Sequence, residues 1–118
     1  MSKTLAYQTI ERARPLVANM NSWTTGAVAR DSDGNGVELF SHLAVRFCAY
    51  GALRRAAFDL VGNMRQAEDI ALTAAVALTS KTSLEPGAKA LFTINDNKGQ
   101  QAIVDLFDSV LHHNLADA

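Results

Sequence analysis

Residues 41–60 constrain the fold of this chain more than any other segment. Apolar side chains cover most of the circumference of a helix there, and a narrow polar stripe is all that interrupts them. These apolar residues are Leu43, Ala44, Val45, Phe47, Cys48, Ala49, Ala52, Leu53, Ala56, Ala57 and Phe58. A helix that is apolar on nearly all sides is usually surrounded by other elements. Because Ser41 is a favoured N-cap residue, we predict a long central helix that begins there and organises the core.

Three further segments show helical periodicity. The first covers residues 10–20, where Pro15 predicts a kink or a restart of the helix. The second covers residues 64–79 and is rich in alanine, which favours a helix and permits close helix contact. The third covers residues 98–114, with residues 95–97 (Asn-Asp-Asn) as its predicted caps. These segments predict helices that pack around the central one.

The helical period disappears between residues 21 and 38. Two short segments, residues 27–29 and 37–39, flank the sequence Asp-Ser-Asp-Gly-Asn-Gly at residues 31–36. Asp-Gly and Asn-Gly pairs supply the positive φ angles of tight turns, so these segments predict a short β-hairpin. The fold class is therefore mainly α with a minor β component. We predict one globular domain over residues 1–118, a compact bundle of about four helices with one hairpin between the first two.

Charge and cysteine content bear on the partners and the location of the protein. The 11 basic and 12 acidic residues give a formal net charge of −1. Nucleic-acid-binding domains usually carry a basic excess, so a nucleic-acid partner is not expected.

The single cysteine, Cys48, allows no internal disulfide and favours a reducing compartment. No apolar stretch is long enough to span a bilayer, and the first residues do not resemble a signal peptide. We expect a cytoplasmic protein with no membrane partner.

The sharpest local motif is Asp-Ser-Asp-Gly-Asn-Gly at residues 31–36. It matches the opening of an EF-hand calcium loop, with oxygen ligands at alternate positions and a glycine at the turn. The match then fails, because His42 stands where a bidentate glutamate is required. No His or Cys residues have the spacing of a zinc site. We therefore predict no metal ligand and no cofactor, and keep calcium binding by the loop from Asp31 to Gly36 as a third hypothesis.

No residue is predicted to be catalytic. The sequence contains neither a G-x-S-x-G nucleophile elbow nor a glycine-rich phosphate-binding loop. Cys48 falls inside the apolar central segment, where a free thiol behaves as a small hydrophobic side chain. A binding protein is therefore favoured over an enzyme.

Arg46, Tyr50 and Arg54 lie at intervals of one helical turn and predict a polar stripe along the central helix. The stripe is either a solvated face or the wall of a pocket in which guanidinium groups bind a carboxylate or a phosphate. In the pocket interpretation, other segments contribute further ligand-binding residues: Trp23, Arg30, Asp31, Asn95 and Asp96. Trp23 would then form a wall of the pocket.

The same residues carry a resemblance to a known family. Residues 23–27 are Trp-Thr-Thr-Gly-Ala, residues 29–31 are Ala-Arg-Asp, residues 48–53 place a cysteine before Gly-Ala-Leu, and residues 94–96 are Ile-Asn-Asp. This combination resembles the motifs of a family of small bacterial and phage-associated proteins that is classed as a domain of unknown function. Ile94 replaces the aromatic residue common in that family. The resemblance covers most of the chain and implies a shared fold and a shared site, but no activity.

Three functional hypotheses follow. The first is a small non-enzymatic binding or regulatory module that forms homo-oligomers, since the core is compact and no catalytic signature is present. The second is a small enzyme or a sequestering protein for an anionic metabolite or nucleotide. In this case Arg30, Arg46, Tyr50 and Arg54 would bind the anion, and Asp31 or Asp96 would be the acid or base. The third is the calcium-binding protein described above.

Overall fold

The computed structural model describes residues 3–117, and the side chains of residues 3–112. Seven elements follow one another in this part of the chain: α1 (Leu5–Ala18), β1 (Ala29–Arg30), β2 (Arg46–Phe47), α2 (Ala49–Val61), α3 (Met64–Thr79), α4 (Ala88–Lys98) and α5 (Gln100–Asp117). The mainly helical fold with a small sheet is thus confirmed. No helix in this part is long and apolar enough to cross a membrane.

The predicted count of about four helices is wrong, because residues 3–117 contain five. The predicted caps at residues 95–97 lie inside α4, which continues to Lys98. Gly99 then adopts a positive φ of 89°, which glycine tolerates because it has no Cβ, and α5 begins at Gln100. A glycine break therefore separates two helices where the sequence predicted a cap for one.

The central helix begins later than predicted. α2 has Cys48 as its N-cap, not Ser41, because Arg46 and Phe47 are extended and pair as β2. The central position of α2 is nevertheless confirmed, since it packs against α1, α3 and α4. Its buried residues meet the alanine-rich inner face of α3, where small side chains allow the two helices to approach closely.

The predicted β-hairpin has a different partner strand. Ala29 lies opposite Phe47 and Arg30 opposite Arg46 in an antiparallel ladder, so β1 forms its ladder with β2 and not with residues 37–39. The tight turn at residues 31–36 is present, and the chain after it forms an isolated bridge from Gly36 to Arg30 and one hydrogen bond from the backbone N of Val37 to the carbonyl of Ala29 (3.1 Å). Of the kink or restart predicted at Pro15, the restart is wrong, because α1 runs through this residue.

Candidate functional site

Asn95 on α4 joins three segments that are distant in sequence. Its side chain is completely buried. The Oδ1 atom accepts hydrogen bonds from the indole Nε1 of Trp23 (2.8 Å) and from the backbone N of Ala49 (2.9 Å). The Nδ2 atom donates to the carbonyl of Thr24 (3.0 Å) and to Oδ1 of Asp96 (3.1 Å). Two donors and two acceptor sites are the full capacity of an amide side chain, so Asn95 has none left for a ligand.

Asp96, the next residue on α4, links this network to Gly26. It is exposed, and the Oδ1 that accepts from Asn95 also accepts from the backbone N of Gly26 (3.1 Å). Gly26 has a φ of 76°, in the left-handed region that favours glycine. The Asn-Asp pair on α4 therefore holds both ends of the Trp-Thr-Thr-Gly segment, which explains why these residue types occur together.

Arg30 also binds the loop that contains Thr24 and Thr25. Its guanidinium donates from Nε to Oγ1 of Thr24 (3.1 Å), from Nη2 to the carbonyl of Thr25 (2.9 Å) and from Nη1 to the carbonyl of Gly34 (2.9 Å). A Cβ added at Gly26 would lie 3.1 Å from Nη2, so glycine also leaves room for the guanidinium. All of these acceptors are neutral, and the positive charge of Arg30 is therefore not compensated by them.

Asp31 is used within its own turn. Its Oδ1 accepts from the backbone N of Asp33 and of Asn35, at 2.9 Å each. The bonds from Asn35 are the main reason that the pKa of this carboxyl lies below its usual value. The oxygen that would be the first calcium ligand thus already stabilises an Asx turn. Within the described side chains, no three His, Cys, Asp or Glu residues are close enough to hold a metal ion.

The predicted stripe of Arg46, Tyr50 and Arg54 does not lie along one helix, because Arg46 precedes α2 and belongs to β2. Tyr50 is buried, which raises the pKa of its hydroxyl, and its ring packs 5.3 Å from that of Phe92. The guanidinium of Arg54 lies 5.8 Å from the ring centre of Phe40 and 4.0 Å from the carboxylate of Glu68. Arg54 is thus held by its contacts with Phe40 and α3.

Arg46 instead lies directly opposite Arg30 in the two-stranded ladder. Ala29 and Phe47, the neighbouring pair, are 1% and 4% exposed and belong to the core. Since successive residues of a strand point to opposite faces, Arg30 and Arg46 share the outer face. Within the described residues, neither arginine lies within ion-pair distance of a carboxylate, and the guanidinium of Arg46 donates no hydrogen bond. We call these two residues the arginine pair.

Cys48 has a structural role that the sequence did not reveal. It is 1% exposed, and its Sγ accepts from the backbone N of Gly51 (3.4 Å) as the N-cap of α2. Cysteine is not among the usual capping residues. Gly51, whose backbone N donates to this thiol, has no side chain, and this allows the first turn of α2 to approach the backbone of Val28.

The Cys48 thiol is expected to be inert in the folded protein. Burial raises its pKa, and the carboxylate of Asp96 acts in the same direction, so the thiol stays protonated at neutral pH. A disulfide-exchange reagent at pH 7.5 should therefore react with it only slowly, and should react at once in denaturant. Since the chain has a single cysteine, the release of the reagent's chromophore measures this site alone. Equal rates in native and denatured protein would contradict the buried position.

The geometry thus places the three sequence motifs in one connected cluster, the Asn95 network. The profile of DUF6197, a family of unknown function, matches residues 1–113. The chain belongs to this family. No curated protein and no solved structure shows significant similarity to it. In this DUF6197 member, the cluster comprises Trp23, Gly26, Arg30, Asn95 and Asp96. The backbone groups of Thr24, Thr25 and Ala49 also take part, although the sequence pattern assigned no role to them.

Proposed function

We propose that this DUF6197 member is a small non-enzymatic binding module that holds an anionic ligand at the arginine pair. Two guanidinium groups on one face of a ladder, without a carboxylate partner among the described residues, are the observation that supports this proposal. Like charges directly opposite each other in a sheet are destabilising. An anion that binds between Arg30 and Arg46 would relieve this repulsion.

The neighbouring groups support binding over catalysis. The amide of Asn95 is fully hydrogen-bonded, the carboxylate of Asp31 accepts from its own turn, and the thiol of Cys48 is buried. A general base or a nucleophile needs a free functional group within reach of the substrate. These residues instead form a rigid support. The carboxylate of Asp96, the other acid or base candidate, is exposed, and its Oδ1 accepts from Asn95 and from the backbone N of Gly26.

The fixed position of Arg30 favours a ligand with a carboxylate or phosphate group. Its bonds to Thr24, Thr25 and Gly34 hold the guanidinium in one orientation, so little side-chain entropy is lost when a ligand binds. A guanidinium pairs with the two oxygens of such a group through parallel hydrogen bonds. Nucleotides and phosphorylated metabolites belong to this class, and sequestration of a nucleotide signal fits the resemblance to phage-associated proteins.

The test is calorimetric titration of the protein with AMP and with inorganic phosphate at low ionic strength. Arg46→Gln is expected to weaken binding by about 10- to 100-fold, since a hydrogen bond to a charged group contributes about 1.5–3 kcal/mol. Arg46 is the better choice for substitution, because Arg30 also holds its loop together. Arg65→Gln, which removes an exposed arginine from α3, is the matched control and should bind as the unaltered protein does.

Two results would contradict the proposal. One is the absence of heat with both anions at millimolar concentration. The other is an equal loss of affinity in Arg46→Gln and Arg65→Gln, which would show only a response to net charge. A loss confined to Arg46→Gln, with phosphate and AMP affected alike, would place the phosphate group at the arginine pair.

A further inference from the structure

The outer face of α3 exposes two large apolar side chains in succession. Leu72 is 41% and Val76 is 47% exposed, and residues four apart on a helix lie on the same face. Thr73 and Ala77 are exposed beside them and are small. The opposite face of α3 is buried against α2. These side chains therefore form a nearly flat apolar strip, which we call the α3 strip. Its residues are Leu72, Thr73, Val76 and Ala77.

Opposite charges lie at the two ends of the α3 strip. Glu68 stands one turn before Leu72, and its side chain is 52% exposed. Lys81 stands one turn after Ala77, just beyond the end of α3, and is also exposed. The order along this face is thus acidic, apolar, basic. A surface with this order is complementary to itself when a second copy is turned end to end.

We propose that the α3 strip binds the same strip of a second copy, forming a two-fold symmetric dimer. An antiparallel pair centred between positions 74 and 75 brings position 72 of one copy beside position 77 of the other, and 73 beside 76. The same register brings each Glu68 beside the partner's Lys81, so two ion pairs close the ends of the apolar contact. In such an isologous interface every contact occurs twice.

The size of the contact sets the expected affinity. The 16 residues of α3 form a helix about 24 Å long. A single pair of such helices buries less than the roughly 1,200 Å² of total surface found in stable standard-size interfaces. The dimer is therefore expected to dissociate in the micromolar range. This inference does not depend on the anion-binding proposal, because the α3 strip and the arginine pair share no residue.

Sedimentation equilibrium between about 5 and 500 μM is the first measurement, with a monomer–dimer equilibrium as the expected result. Leu72→Asp should shift the protein to monomer, because it places a carboxylate at the centre of the contact. Leu43→Asp is the matched control, since Leu43 is a leucine of similar exposure (52%) outside α3. Far-UV circular dichroism verifies that each variant stays folded.

A charge exchange tests the register itself. Lys81→Glu alone, or Glu68→Lys alone, makes both end contacts repulsive and should raise the dimer dissociation constant by about tenfold. The double variant Glu68→Lys/Lys81→Glu restores opposite charges and should restore dimerisation. The proposal is overturned if the unaltered protein remains monomeric up to the highest concentration. Glu68 also lies 4.0 Å from Arg54 of its own copy, so the variants are compared only when circular dichroism shows the fold of the unaltered protein. The proposal is also overturned if the folded double variant dissociates as readily as the single ones.

Discussion

Asn95→Ala is expected to lower the free energy of unfolding by about 3–5 kcal/mol, since each buried polar group left without a partner costs about 1–3 kcal/mol. The substitution removes the acceptor of both the Trp23 indole and the Ala49 backbone N, and the donor to the Thr24 carbonyl. Urea denaturation measures the change. The fluorescence of Trp23, the one tryptophan of the chain, should report the loss of its hydrogen bond.

Asn97→Ala is the matched control for this prediction. Asn97 lies two residues further along α4, and it is exposed. Its replacement should change the free energy of unfolding by no more than about 0.5 kcal/mol, as is usual for surface positions. If Asn95→Ala and Asn97→Ala had the same small effect, water would be replacing the lost hydrogen bonds, and the Asn95 network would not hold the loop in place.

The elements that sequence periodicity predicted well are those whose burial repeats with the helical period. The helix predicted over residues 64–79 is α3, Met64–Thr79, with the same bounds. Its alanines face the core at helical spacing, and Asn63 caps its first turn through a hydrogen bond to the backbone N of Gln66 (2.8 Å). Both signals are local, so they are visible in a single sequence.

The start of α2 could not be predicted because distant residues decide it. Residues 43–47 are as apolar as the helix that follows, and nothing in their own pattern excludes a helical turn. They form a turn and then the strand β2, because the backbone N–H of Phe47 donates to the carbonyl of Ser22, its carbonyl accepts from Thr24, and Ala29 lies opposite it. These partners lie about 20 residues earlier in the chain, and a local pattern does not reveal them.

The sequence pattern named several of the residues that the structure brings together, but not the contacts that they make. Asn95 and Asp96 resembled caps because Asn and Asp are common at helix starts. In the structure they lie within α4 and bind the Trp23 segment, a tertiary arrangement that composition does not indicate. Arg46 was assigned to a helix face with Tyr50, and its strand position instead places it beside Arg30.

Gly51→Ala is expected to destabilise the protein by about 2–4 kcal/mol, which is at the upper end of the effects of overpacking. Glycine to alanine within a helix is ordinarily stabilising, by about 0.5–1 kcal/mol, because alanine loses less backbone entropy on folding. Here the added Cβ would lie 2.3 Å from the carbonyl oxygen of Val28. Because that neighbour is backbone, the clash is relieved only if the first turn of α2 moves away from Val28, the residue before β1.

A destabilised Gly51→Ala variant would therefore show that tertiary packing dominates at this position, and a stabilised variant would show that helix propensity dominates. Gly36→Ala is the matched control, because its added Cβ meets no atom within 4 Å, and its free energy of unfolding should change by no more than about 0.5 kcal/mol. Displacement of the first turn of α2 in Gly51→Ala should also expose the Cys48 thiol, so its reaction with a disulfide-exchange reagent should accelerate. A stabilised Gly51→Ala variant with an inert thiol would show that α2 and the backbone of Val28 are not in close contact.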